Sequence, residues 1–141
     1  MPKIELSRVN GEFGFEATDE NNHTVRIDSS PESGGLNFGV RPMQMLLMGV
    51  GGCSAIDVLS ILKKQRIDVK DCKIIVNGER EPGKIPSLWK DIDIEFHLYG
   101  DIDIDKANKA AELSIGKYCS ASATLEKAGA KLTWKVFVHP A

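Results

Sequence analysis

An α+β fold is the class that the sequence predicts, and two observations support this prediction. Segments in which apolar and polar residues alternate, as in half-buried strands, occur near both ends of the chain and in its middle. Helical segments of unequal length separate them, which fits α+β better than a regular βαβ repeat. The length of 141 residues, with no internal repeat and no low-complexity tract, predicts a single domain over residues 1–141.

The first thirty residues are predicted to form short strands over residues 3–9, 12–17 and 23–28. Gly11 and the polar cluster at residues 19–22 mark the turns between them. Two turn-rich segments follow later in the chain, at residues 28–35 and 78–86. Both are too short to link independent domains, so we expect them to be loops within one fold.

Residues 42–65 are predicted to form a long helix. Pro42 suits a first helical position, and Lys63 and Lys64 lie at the end where the helix dipole favours positive charge. No residue from 42 to 56 is charged, but this run of 15 residues is shorter than a membrane span. A helix that is apolar nearly all round in a soluble chain predicts a central buried helix and no membrane association.

The second half of the chain continues with strands and helices. Residues 91–99 alternate strictly, which places Ile92, Ile94, Phe96 and Leu98 on one buried face. The remaining predicted elements are an antiparallel partner strand at 70–78, a helix at 105–118, a short helix at 120–128 ended by Gly129, and a closing strand at 131–139 with Leu132, Trp134, Val136 and Val138 inward.

Composition excludes several classes of protein. A net charge of −2 argues against a dedicated nucleic-acid binder, which would carry a basic excess. The first residues carry charge where a secretory signal has an apolar core, so we expect a cytoplasmic protein. An odd count of three cysteines does not suit a disulfide-stapled scaffold. The cysteines therefore serve as buried apolar groups, as metal ligands or in redox chemistry.

The spacing of the cysteines and histidines in the sequence argues against a metal site. The sequence has no C-x-x-C, C-x-x-H or H-x-x-x-H pattern, and His23, His97 and His139 are widely separated. We therefore expect no metal and no cofactor. Cys72 shares its strand face with Ile74 and Val76, where a thiol acts as a small apolar group.

Cys53 lies inside the long helix among Gly49, Gly51 and Gly52. Each glycine costs about 1 kcal/mol in a helix interior relative to alanine, so three in four positions need a reason. The glycines allow close packing against another helix, or they leave room for a substrate to reach the thiol. A small buried cysteine at a tight crossing explains the pattern as well. A dinucleotide loop at this position is a weak match, because Ser54 takes the third glycine position.

Cys119 lies at the junction of the second and third predicted helices. A thiol in the first turn of a helix meets unpaired backbone N–H groups and the positive end of the dipole, which favour thiolate. Ser120 and Ser122 are caps or additional hydrogen-bond donors there. A small residue in a tight turn between helices explains Cys119 equally well.

Two segments together resemble a known family. The string at residues 41–59 (RPMQMLLMGVGGCSAIDVL) is similar to the first cysteine helix of the OsmC-like family, the osmotically inducible protein C and organic hydroperoxide resistance proteins. Tyr118-Cys119-Ser120, a short helix and the closing strand resemble the second cysteine region of that family. The resemblance implies antiparallel strands wrapped around two long central helices, in an intertwined homodimer.

The resemblance also implies a thiol peroxidase active in oxidative-stress defence. Cys53 would attack the O–O bond of an organic hydroperoxide, and the sulfenic acid formed would condense with Cys119 to give a disulfide and water. A small dithiol or a dithiol protein would then reduce the disulfide. Ser54 and Ser120, beside the two cysteines, are possible supporting residues.

The sequence departs from the family pattern in the groups that would activate Cys53. Met43-Gln44 stands where a glutamate is expected, and residues 12–16 lack the expected arginine. Gln44 can hydrogen-bond but cannot anchor an arginine by charge, and Arg8, Arg26 and Arg41 are the possible substitutes. This departure motivates an alternative function, a non-enzymatic small-ligand-binding protein on the same fold, with its ligand in an apolar cleft beside Gly51 and Gly52.

Overall fold

The computed structural model describes every residue from Met1 to Ala141 and contains six strands and three α-helices. The predicted α+β class is confirmed. The chain divides into two compact units, residues 1–46 and 47–141, and each is described by itself.

The first unit contains an antiparallel sheet in the order β1-β2-β3. Its strands are β1 (Glu5–Asn10), β2 (Gly14–Thr18) and β3 (Thr24–Ile27), so all three strands predicted for this region are present. A short 3₁₀ turn (Pro31–Ser33) follows in the loop after β3.

Asp28 organises that loop. Its carboxylate is buried, and it accepts hydrogen bonds from the backbone N–H groups of Ser29, Leu36 and Phe38 at 2.7, 2.9 and 3.1 Å. These bonds, that from Phe38 most of all, lower the pKa of the carboxyl below its ordinary value. The turn-rich segment predicted from sequence is therefore ordered around one ionised side chain.

The second unit contains a mixed sheet in the order β4-β5-β6. β4 (Asp71–Arg80) runs antiparallel to β5 (Trp89–Tyr99), as predicted, whereas β6 (Lys131–His139) runs parallel to β5. Parallel neighbours need a crossover connection. Here the crossover contains α2 (Ile104–Leu113) and α3 (Ser120–Lys127).

The core of this unit follows the predicted alternation. Ile92, Ile94, Phe96 and Leu98 are all fully buried, and each contributes about 1.5–3 kcal/mol of transfer free energy. Alternate residues of β6, from Leu132 to Val138, pack against this cluster from the neighbouring strand. The opposite face of the sheet carries most of the charged residues of the strands, among them Asp93, Glu95 and Lys135.

The long helix α1 (Pro42–Lys64) is buried along one stripe only. Val50, Ser54, Val58 and Leu62 recur every four residues and are fully buried. On the opposite face Met48 is 54% exposed and Ile56 69% exposed, so the expectation of burial nearly all round is wrong for the single chain. By length and composition alone α1 could also cross a membrane, a test that core helices of soluble proteins pass too.

The helix predicted over residues 105–118 is interrupted. α2 ends at Leu113, and residues Ser114–Tyr118 form one turn of π-helix before α3 begins at Ser120. The backbone N–H of Cys119 closes this wider turn by donating to the Ser114 carbonyl at 2.7 Å. Such π turns recur at functional sites.

Candidate active site

The two sulfurs predicted to act together are close in space. The Sγ atoms of Cys53 and Cys119 and a carboxylate oxygen of Asp57 all lie within 4.8 Å of one another. Cys53 and Asp57 are half-buried, Cys119 is 2% exposed, and neither cysteine is in a disulfide. A disulfide needs a sulfur–sulfur distance of about 2.05 Å, so modest movement would join the two thiols.

Ser114 holds the crossover against α1 at this point. Its buried hydroxyl lies 3.2 Å from the Ser54 carbonyl oxygen and 3.4 Å from Oδ2 of Asp57, and it donates to these acceptors. Because Ser114 is the first residue of the π turn that ends beside Cys119, the contact fixes the second cysteine next to the first. The sequence analysis did not single out Ser114, and no local pattern marks it.

Asp57 is the other residue that the sequence analysis missed. It lies one helical turn after Cys53, and side chains four residues apart share a helix face. A single acidic residue at that spacing, in an otherwise apolar helix segment, was the signal available in the sequence.

Cys119 caps α3, as its predicted position at a helix start requires. Its sulfur accepts a hydrogen bond from the backbone N–H of Ser122 at 3.4 Å. Burial raises the pKa of the Cys119 thiol, and this effect outweighs the hydrogen bonds from Ser122, which lower it. Burial therefore opposes the thiolate that the position of Cys119 at a helix start favours.

The glycines near Cys53 serve two different faces of α1. A Cβ on Gly51 would lie 2.9 Å from a methyl of Val76, so Gly51 allows α1 to pack closely on β4. The close contact is with a strand, and not with the helix considered from sequence. A Cβ on Gly49 or Gly52 would meet nothing within 4 Å, so there is room for a side chain at both positions.

The two predicted supporting serines have structural hydrogen bonds. The buried Ser54 hydroxyl donates to the Val50 carbonyl at 2.7 Å, within α1. Ser120 is exposed at the start of α3, and its carbonyl accepts from Thr124. Neither serine hydroxyl donates a hydrogen bond to a cysteine sulfur.

Gln44 and Arg41 belong to the first unit, where they form the start of α1. The Gln44 side chain accepts a hydrogen bond from the Arg41 backbone N–H at 3.2 Å, which satisfies a donor at the helix terminus. The Arg41 guanidinium donates to the Gly39 carbonyl at 2.9 Å. Arg26 pairs with Glu16 at 3.6 Å. Gln44 thus acts as a capping residue at one of the two positions where the resemblance led us to expect a glutamate.

Cys72 has the packing role predicted for it. It is half-buried on β4 beside Leu98 of β5 and packs against the hydrophobic cluster. Burial, with a smaller effect of the Asp71 charge, raises the pKa of its thiol.

Two histidines that are distant in sequence meet on the mixed sheet. Nδ1 of His97 lies 2.9 Å from Nε2 of His139, and Nε2 of His97 lies 2.9 Å from Glu95. Parallel pairing of β5 with β6 brings them together, which their separation in sequence concealed.

Two grooves flank the pair of thiols. One, of about 460 Å³, is lined by Asp57, Ile61, Leu113 and Tyr118. Another, of about 350 Å³, is lined by Cys119 and residues of the π turn and α3. Both are open and partly apolar, and Cys53 lines neither of them.

Comparisons with known proteins agree with this architecture. A family model described as OsmC-like protein matches residues 33–135. Protein YhfA of Escherichia coli K12 is 47% identical over 88 residues, and the match spans 62% of this chain and 65% of the length of that relative.

Two solved structures cover almost the whole chain. A hypothetical protein from Aquifex aeolicus has a TM-score of 0.79 and 31% identity over 99% of this chain and 98% of its own. An organic hydroperoxide resistance protein OsmC from Legionella pneumophila has a TM-score of 0.67 over 99% and 95% of the two chains, and at 14% identity it shows the shared fold. With the family match covering most of its residues, this chain belongs to the OsmC-like protein family.

Proposed function

We propose that this protein is a two-cysteine thiol peroxidase that reduces organic hydroperoxides. The supporting observation is the approach of the Cys53 and Cys119 sulfurs to within 4.8 Å, with no disulfide between them. Membership of the OsmC-like family supports a redox role in peroxide defence, because structural neighbours include proteins named for organic hydroperoxide resistance.

In the proposed reaction, Cys53 attacks the O–O bond of the hydroperoxide. One oxygen stays on sulfur as a sulfenic acid, and the other leaves as the alcohol. The Cys119 sulfur then attacks the Cys53 sulfur, and the hydroxyl leaves with the thiol proton as water. A small dithiol or a dithiol protein reduces the disulfide, and no further cofactor takes part.

The division of roles follows from exposure. Cys53 is partly exposed and can meet a substrate, whereas Cys119 is almost fully buried and its pKa is raised by that burial. A resolving thiol needs no access to bulk solvent, because its partner is the neighbouring sulfenic acid. We therefore assign the peroxidatic role to Cys53 and the resolving role to Cys119.

The proposal includes a homodimer in the cytoplasm. The exposed stripe of α1 contains Met48, Gly49, Gly52 and Ile56, and a second copy of the chain would cover it. A reducing compartment suits three unpaired thiols.

Oxidation of the reduced chain by one equivalent of an organic hydroperoxide tests the proposed reaction. Mass spectrometry should find a Cys53–Cys119 disulfide in the wild type and a sulfenic acid on Cys53 in Cys119→Ser. Cys72→Ser is the matched control and should form the same disulfide as the wild type.

The proposal fails if Cys53 and Cys119 both remain free thiols after hydroperoxide treatment. If the Cys53→Ser, Cys119→Ser double variant then binds a small apolar ligand as tightly as the wild type, the protein is a binding protein on this fold.

A further inference from the structure

The site around Cys53 combines three groups that are all anionic when deprotonated. Asp57 is in none of the ion pairs of the chain. Lys64 lines the same groove as Asp57 but is not paired with its carboxylate. A carboxylate beside two thiols adds a like charge to any thiolate that forms, at a cost of about 1–4 kcal/mol at 4 Å. The same arrangement favours a bound cation.

The donor atoms fit a thiophilic divalent ion. Zn²⁺ binds thiolate sulfur at about 2.3 Å and carboxylate oxygen at about 2.0–2.2 Å, in a tetrahedral set. Ligand atoms on such an ion lie roughly 3.3–3.8 Å apart, which follows from those bond lengths. The three atoms here already lie within 4.8 Å of one another, so small side-chain movements complete the set.

Neighbouring groups orient two of the three donors. Ser114 donates to Oδ2 of Asp57, and the backbone N–H of Ser122 donates to the Cys119 sulfur, each at 3.4 Å. Outer hydrogen bonds of this kind hold ligands in position around metal ions. Asp57 also lines an open groove, which gives an ion access to its carboxylate.

We propose that Cys53, Asp57 and Cys119 form a binding site for a thiophilic divalent cation such as Zn²⁺. Binding forms two metal–sulfur bonds and one metal–oxygen bond and releases the two thiol protons. The spacing of these residues in sequence matches no zinc motif, because one ligand comes from the crossover between β5 and β6.

One consequence rests on the proposed peroxidase function. The same two sulfurs cannot hold a cation and form a disulfide at once. Zn²⁺ therefore protects the thiols from hydroperoxide, and oxidation of the pair releases the ion.

Titration with Co²⁺ tests the site in the reduced full-length chain under anaerobic conditions. We expect one ion per chain, with thiolate-to-cobalt charge-transfer absorption and the visible bands of tetrahedral cobalt, both removed by added Zn²⁺. Asp57→Asn should weaken binding at least tenfold, Cys53→Ser and Cys119→Ser should each weaken the charge-transfer band, their double variant should abolish it, and Cys72→Ser should change nothing. Circular dichroism of each variant confirms folding.

Absence of a thiolate charge-transfer band in the wild-type chain overturns the site. A second result would also overturn the site: Co²⁺ binding that is unchanged in Asp57→Asn and in Cys119→Ser but is lost in His139→Gln. The ion would then lie at the His97–His139 pair. The cobalt spectrum needs no peroxide chemistry. A chain that binds Co²⁺ but is not oxidised by hydroperoxide refutes only the peroxidase, and the reverse result refutes only the metal site.

Discussion

Cys119 shows how burial and hydrogen bonding compete at a single residue. Its place at the start of α3 gives it a backbone N–H donor from Ser122, which stabilises the thiolate. Its burial removes water, which stabilises the thiol. Because burial has the larger effect, the pKa of the Cys119 thiol is raised.

Alkylation of Cys119 should therefore be slow at neutral pH and should accelerate as the pH rises through its raised pKa. Peptide mass spectrometry after timed iodoacetamide treatment measures this rate, and the same chain unfolded in urea provides the control. Equal rates for Cys119 in the folded and unfolded chains at pH 7 would contradict the assignment.

The raised pKa of Cys119 also makes the free energy of unfolding depend on pH. The folded state binds the Cys119 proton more tightly than the unfolded chain does, so the contribution to stability is complete below the unfolded thiol pKa of about 8.5. This contribution to stability is lost as the pH rises through the pKa of Cys119 in the folded chain. Cys72 acts in the same direction, because burial raises its pKa as well.

At the scale of the element, α1 has two apolar faces with different surroundings. One face packs on the mixed sheet through Gly51 and the stripe from Val50 to Leu62. The other face, which includes Gly49, is open in the single chain. A side chain at position 51 would therefore collide with β4, whereas position 49 has room for one.

Gly51→Ala should lower the free energy of unfolding by about 1 kcal/mol. The added methyl would overlap the branched side chain of Val76, and the energetic cost of this overlap exceeds the gain in helix propensity from replacing glycine by alanine. Gly49→Ala, the matched control, should not destabilise the isolated subunit. Urea denaturation of both variants measures the difference. A Gly51→Ala variant as stable as Gly49→Ala would show that α1 and β4 are not packed this closely.

At the scale of the whole molecule, the exposed apolar residues of α1 determine the expected assembly. Ile56→Glu should convert the proposed dimer into monomers, because it places a charge in the covered stripe. Light scattering coupled to size-exclusion chromatography measures the mass. Ile104→Glu alters an exposed apolar residue of α2 and should leave the dimer intact. A wild-type chain that is monomeric at micromolar concentration would refute the dimer.

Local patterns predicted most of the fold. The strict alternation of β5 identified Ile92, Ile94, Phe96 and Leu98 as core because a strand has a period of two, and all four are buried. The division of one predicted helix into α2 and a π turn was not visible, since the apolar spacing of residues 105–118 suits a continuous helix. The parallel pairing of β6 also depends on contacts distant in sequence.

The candidate site was predictable in its cysteines and not in their surroundings. The glycine-flanked Cys53 and the interhelical Cys119 stand out as local strings. Asp57 and Ser114 become part of the site only because the crossover lies against α1. The hydrogen bond from Ser114 to Ser54, for example, joins residues 60 positions apart in the sequence. Burial of Cys119, which opposes the thiolate that its helix position favours, likewise arises from packing.

The parallel pairing of β5 and β6 also bears on when the two thiols first meet. Closing that pair requires ordering the whole segment between Tyr99 and Lys131, and non-local pairings of this kind form slowly. During synthesis Cys53 emerges from the ribosome well before Cys119. Cys53 therefore spends the early life of each chain without its partner, so under the proposed function a sulfenic acid formed on it at that stage has no resolving thiol.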